Sequence, residues 1–156
     1  MKTKALLITL ILGMISVNAM AQDASALRKK EYNLNGSVAL SGYDPVAYFL
    51  LNKAVKGKKE LSYTYEGVTY LFSNGASLEA FKKDPSRYEP EYGGWCAYAM
   101  GAKGEKVTID PATFKIVNGK LYLFYNSFFN NTLKSWNKEE SVLKANADVN
   151  WKKIYH

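Results

Sequence analysis

Thiols and imidazoles are nearly missing from this chain. Its 156 residues hold one cysteine, Cys96, and one histidine, His156, which is the last residue. A single cysteine cannot close a disulfide within the chain, so the fold must be held by its core alone. Without an internal histidine there is no Ser/His/Asp arrangement for nucleophilic catalysis. A tetrahedral metal site takes about four N, O or S ligands, more than one thiol and one terminal imidazole supply. No glycine-rich phosphate loop occurs, and no spacing pairs carboxylates for acid–base work. Basic stripes are absent as well. Lys and Arg number 21 against 14 Asp and Glu, for a net charge of +7, but the cations are scattered, with one local run at Lys56, Lys58 and Lys59. That pattern argues against a nucleic acid partner and for a solvated basic surface.

The longest apolar run, Ala5 to Val17, is shorter than the roughly 20 residues a membrane-spanning helix needs. Lys2 and Lys4 precede it and Ala19-Met20-Ala21 follows it. This is the order of a cleavable secretory signal peptide, expected over residues 1–21 with cleavage before Gln22. Such processing places the chain in the periplasm or outside the cell, with no stable membrane anchor. No cysteine follows the run, so a lipoprotein anchor is excluded. Loss of Lys2 and Lys4 takes the charge from +7 to +5.

Hydrophobic residues make up 47% of the chain, with 12 Tyr, which is enough for a real core in one domain. Residues 22–41 form a lead-in segment, in which Asp23 to Asn35 is polar, lacks clear periodicity and reads as a mobile stretch ending in a short strand. Asp44-Pro45 starts a helix, with Asp44 as cap and proline at the first helical position. LSYTYEGVTYLF reads as a hairpin turning at Glu66-Gly67. Asn74 caps a helix from Gly75 to Lys83 with Leu78 and Phe81 as its buried stripe, and Asp84-Pro85 ends it. FKIVNGKLYLFY is a second hairpin turning at Asn118-Gly119, with Leu121 and Leu123 on one face and Tyr122 and Phe124 on the other. Asp110-Pro111 before it reads as a turn. The tail reads as helical from Asn126 to about Glu139 and from Ser141 to about Ile154. The fold class is α+β: a small single domain with two antiparallel hairpins packed on short helices and a helical C-terminal tail.

Several ordered motifs together carry a resemblance. GYDPVAYF (Gly42–Phe49), GVTYLFSNGASLEAFKKDPSRY (Gly67–Tyr88), GGWCAYAM (Gly93–Met100) and DPATFKIVNGKLYLFYN (Asp110–Asn126) resemble the YHS domain. They are most similar to an exported bacterial subfamily, the YHS domain-containing (seleno)proteins. The resemblance spans roughly Gly42 to Trp151 and implies a YHS-like domain over residues 42–156. Metal-handling relatives in this family carry three cysteines, one after Asp-Pro-Val and two around the strand-to-helix turn. By register, Ala47, Ser73 and Ser77 hold those places here, so that metal site does not carry over. Some members of the exported subfamily have selenocysteine where this chain has Cys96, and the resemblance makes position 96 a chemical one.

The local residues leave three readings of Cys96 open. A helix starting near Gly94 would put the thiol in its first turn, where free N–H groups favour the thiolate. Tyr92, Trp95 and Tyr98 would wall a pocket around it, with Asp44 and Tyr48 as further wall candidates. In this reading Cys96 reacts with oxidants or other thiols, and resolution comes from outside. Alternatively, Cys96 and Met100, at i and i+4 on one helix face, bind Cu(I), which suits a thiolate with a thioether. Finally, Cys96 is a small buried hydrophobe. The expected partners are a small molecule, a metal ion or a periplasmic protein. The rival to thiol chemistry is a non-catalytic binding module with an aromatic pocket.

Overall fold

A computed structural model describes residues 23–155. The expected signal peptide and His156 lie outside the described residues.

The segment expected as an unstructured lead-in is ordered and belongs to the core. Residues 23–31 form a helix, α1. β1 (Leu34–Asn35) and β2 (Val38–Ala39) then make a small hairpin. The helix escapes a periodicity search because it is anchored by charge. Arg28 and Glu31, which look like solvent residues in the sequence, are both buried.

A four-stranded sheet follows, in the order β1-β2-β4-β3. β3 (Lys58–Tyr65) and β4 (Val68–Phe72) are the antiparallel hairpin expected around Glu66-Gly67. The strand begins at Lys58, inside the stretch read as a basic loop. Val38 pairs with Thr69 in parallel, which locks the N-terminal hairpin to β4. α2 (Pro45–Leu51) and α3 (Gly75–Lys83) pack against this sheet. Asn74 caps α3 by accepting the Ser77 N–H at 2.9 Å. Phe81 is fully buried among Tyr70, Phe72 and Tyr88, whereas Leu78 is only half-buried and Ser77 takes the second buried place. The short α4 (Pro85–Tyr88) follows Asp84-Pro85.

The second half is built on β5 (Asp110–Val117) and β6 (Lys120–Phe124), which turn at Asn118-Gly119 as expected. Asp110 accepts the Ala112 N–H at 3.0 Å and the Thr113 hydroxyl at 2.8 Å, the turn its position before proline implies. The chain before α5 (Ala97–Lys103) runs along the other side of β6 through parallel bridges Pro90–Leu121 and Cys96–Leu123. β6 is therefore flanked along both edges, and each of its faces enters a different cluster. Leu121 and Leu123 join the cluster under the four-stranded sheet, with Val46, Tyr48, Phe72 and Phe81. Tyr122 and Phe124 join a second cluster, with Tyr92, Met100, Trp136 and Leu143.

The tail departs from its reading. Residues 126–131 are not helical but form a fourth hairpin, β7 (Asn126–Ser127) and β8 (Asn130–Asn131). The helix starts only at α6 (Thr132–Trp136), where Asn131 accepts the Leu133 N–H at 3.1 Å. An asparagine-rich stretch favours local side-chain-to-backbone bonds over helix interior, which is the signal that outweighs the apolar pattern here. α7 (Glu140–Ile154) closes the second cluster. It lies so close to α5 that a side chain at Gly101 would collide with the Leu143 carbonyl. The observed architecture is a small α+β domain with a helical C-terminal tail.

Candidate functional site

Cys96 stands one residue before α5, with extended backbone angles (φ −60°, ψ 115°), so it caps the helix rather than lying in its first turn. Its own N–H donates to the Val107 carbonyl at 2.9 Å. The side chain does not bond the helix N–H groups. It points instead across the end of β6, where the Tyr125 N–H donates to Sγ at 3.3 Å. Thr132 Oγ1 lies 3.4 Å from Sγ, and its hydroxyl donates to the Tyr125 carbonyl at 2.8 Å. With that hydroxyl proton engaged, the neutral thiol is the donor toward Thr132 Oγ1. The Thr132 hydroxyl is a rotor, and turned toward the sulfur it is a second donor beside the Tyr125 N–H.

The residue has no solvent-exposed surface. It nevertheless forms part of the wall of a cavity of about 290 Å³, bounded among others by Tyr98, Val107, Tyr125, Asn130 and Thr132. Lys103 and Glu105 stand on the same wall. Cys96 is thus closed to a protein thiol, and the residue stands next to a space of small-molecule size.

The remaining expected wall residues are not brought together. Only Tyr98 borders the Cys96 cavity. Tyr92 donates its hydroxyl to Asp148 at 2.9 Å, tying the 3-10 turn Glu91–Gly94 to α7. Burial and that carboxylate push its phenol well above the usual range. Trp95 donates Nε1 to the Glu31 carbonyl at 2.7 Å, facing α1. Tyr48 is buried in the first cluster and donates to the Pro111 carbonyl at 3.0 Å. Asp44 is fully buried as a cap. Its Oδ1 accepts the Val46 and Ala47 N–H groups at 2.9 and 3.3 Å.

Met100 is fully buried against the aromatic second cluster and does not border the Cys96 cavity. Its N–H donates to the Cys96 carbonyl at 3.0 Å, while the Cys96 sulfur accepts from the Tyr125 N–H and lies beside Thr132. Among the described residues no group of three or more His, Cys, Asp or Glu is placed to hold a metal ion. At the places where relatives in the resembled family carry thiols, Ala47 is buried, Ser73 is bonded to Asp44, and Ser77 is buried in α3.

Sequence reading missed the groups that matter most to Cys96. Tyr125 and Thr132 lie 29 and 36 residues away, and no spacing links them to it. Only the parallel bridge of Cys96 to Leu123 brings them into register. It also missed the buried ion pair of Arg28 with Glu89, to which Tyr70 donates its hydroxyl. Burial first, and Glu89 second, hold the Tyr70 phenol well above its usual range. The arginine also lies over the Tyr32 ring, 4.6 Å from its centroid. Compared with protein-family models, with curated proteins and with solved structures, the chain matches none of them.

Proposed function

We propose that this chain is an exported YHS-type domain whose Cys96 is a sheltered redox thiol, reactive toward small oxidants rather than toward protein thiols or copper. The YHS assignment rests on the ordered motifs between Gly42 and Trp151, and export rests on the pattern of residues 1–21. One observation carries the thiol reading. Sγ receives a backbone N–H and has a rotatable hydroxyl beside it, and Cys96 forms part of the wall of a small cavity. A sulfur with polar partners beside a space of that size suits reaction with a small molecule.

With a hydroperoxide in the cavity, the sulfur attacks the terminal peroxide oxygen. An S–O bond forms and the O–O bond breaks. The sulfur loses two electrons, and the proton of the thiol passes to the leaving oxygen, giving water or an alcohol. The sulfenic acid that results has no second cysteine to condense with. A small thiol condenses with it and releases water. A second small thiol then frees Cys96 and leaves as the mixed pair's disulfide.

The test is mass spectrometry of native protein exposed to hydrogen peroxide in the presence of dimedone. The expected result is a single adduct on Cys96, slowed at least about tenfold in Thr132→Val. Circular dichroism confirms that the variant is folded. Labelling only after unfolding in urea would overturn the thiol reading and leave the cavity as a binding site with an inert cysteine.

A further inference from the structure

Among the described residues four hairpins turn through two residues, and three of them follow one chemical rule. Their central pairs are Gly36-Ser37, Glu66-Gly67 and Asn118-Gly119. Each contains glycine, which accepts the left-handed backbone such turns demand. The fourth, between β7 and β8, turns through Phe128-Phe129. Phe128 sits at φ +48°, the place that Gly36 fills at φ +63° in the first hairpin. A bulky side chain there is a genuine outlier. Both rings are almost wholly exposed, at 99% for Phe128 and fully for Phe129. No fold requirement accounts for them, since neither ring packs on either cluster.

We infer that this aromatic tip is a wedge that docks the domain on an anionic lipid surface. Its shape favours lipid over protein. Two rings on the convex end of a two-residue turn offer far less than the roughly 800 Å² each partner contributes to a standard protein interface. They suit shallow insertion among acyl chains, with polar Asn126, Ser127, Asn130 and Asn131 forming a neck at headgroup depth. Two free cations flank the tip, against Glu105 on the cavity wall and Asp110, which accepts from Ala112, Thr113 and Asn126 at the hairpin base. Lys134 follows the hairpin in α6, and Lys103 shares the cavity wall with Asn130. Both are exposed, and neither pairs with a carboxylate among the described residues. Glu105 is the single acid on that wall. The whole chain carries +7, which favours anionic headgroups. Docking in this pose lays the hairpin side of the Cys96 cavity along the bilayer. The inference does not depend on what the thiol does.

The test needs a signal from the tip itself, because the apolar run Ala5–Val17 could hold the full chain on vesicles without it. Full-length protein carrying Phe129→Trp is mixed with vesicles of phosphatidylglycerol and phosphatidylethanolamine whose acyl chains are brominated. The parent protein supplies the background from Trp95, Trp136 and Trp151. The introduced indole should shift to the blue and be quenched, and replacing phosphatidylglycerol by phosphatidylcholine should weaken both effects. Phe128→Ser in the Phe129→Trp background should reduce that quenching several-fold, about the loss expected from one exposed ring leaving the acyl region. Since the rings pack on nothing, that variant should melt no lower than the parent. An unquenched indole, or quenching unchanged by Phe128→Ser, would overturn the inference, including the case in which the tip serves a protein partner.

Discussion

Asp44 and Ser73, 29 residues apart, are joined twice through one carboxylate oxygen. The Ser73 N–H donates to Asp44 Oδ2 at 2.9 Å and its hydroxyl at 2.6 Å, while Oδ1 caps α2. This fully buried carboxylate clips the start of α2 to the turn between β4 and α3.

Asp44→Asn keeps the size but turns an N–H₂ toward donors it cannot accept from. It should cost about 2–4 kcal/mol, with Ser73→Ala costing about 1 kcal/mol. Urea unfolding midpoints at constant m-value measure both. An Asp44→Asn midpoint equal to that of the parent would show that the clip contributes nothing.

Arg28 and Glu89 hold α1 on the sheet from inside the protein, their side chains 5% and 13% exposed. Arg28→Leu alone strands a carboxylate beside the Tyr70 hydroxyl and should cost about 3–5 kcal/mol. Arg28→Leu combined with Glu89→Leu should recover much of that loss, because the pair's desolvation cost goes with it. A double-mutant cycle in urea checks the coupling, and strict additivity would contradict it.

Acid should loosen the domain through two carboxylates. The hydrogen bond from Lys106 holds the Glu31 carboxyl below the usual 4.5, against the opposing effect of burial. The bond from Lys115, helped by Trp136 Nε1, does the same for Glu140, again against burial. Both have folded values below their unfolded ones, so the unfolded chain binds more protons in between. Their stabilisation is complete above the unfolded value near 4.5 and disappears as pH falls through the depressed folded values. Stability measured from pH 7 downward should drop below about pH 4.5. Lys106→Met should make that drop shallower, and an unchanged slope would remove Glu31 from the account.

Phe128→Gly should raise stability by about 1 kcal/mol, by relieving a left-handed phenylalanine that packs on nothing. Phe129→Gly, at a position without positive φ, should not. Thermal midpoints of the two variants separate them, and equal midpoints would show that the turn is unstrained.

The parts of the fold that were legible in the sequence are those where local chemistry decides. Glu66-Gly67 and Asn118-Gly119 set two hairpins, and Asp44-Pro45 and Asn74 set two helix starts, all where expected. Residues 23–31 were illegible because their helix is fixed by a distant partner, Glu89, rather than by an apolar face. The stretch from Asn126 misled because asparagines bonding the backbone locally set a hairpin there, with Phe128 and Phe129 at its tip, and the helix starts only at Thr132. For the site, the sequence singled out Cys96 but supplied the wrong surroundings. Proximity in sequence suggested Trp95 and Met100, whereas pairing with β6 brings Tyr125 and Thr132.

β6 has one row of side chains in each of the two clusters. Neither half can loosen without disturbing the other's wall, so the domain should melt as one cooperative body, with the amides of Leu121 to Phe124 the last to exchange with heavy water.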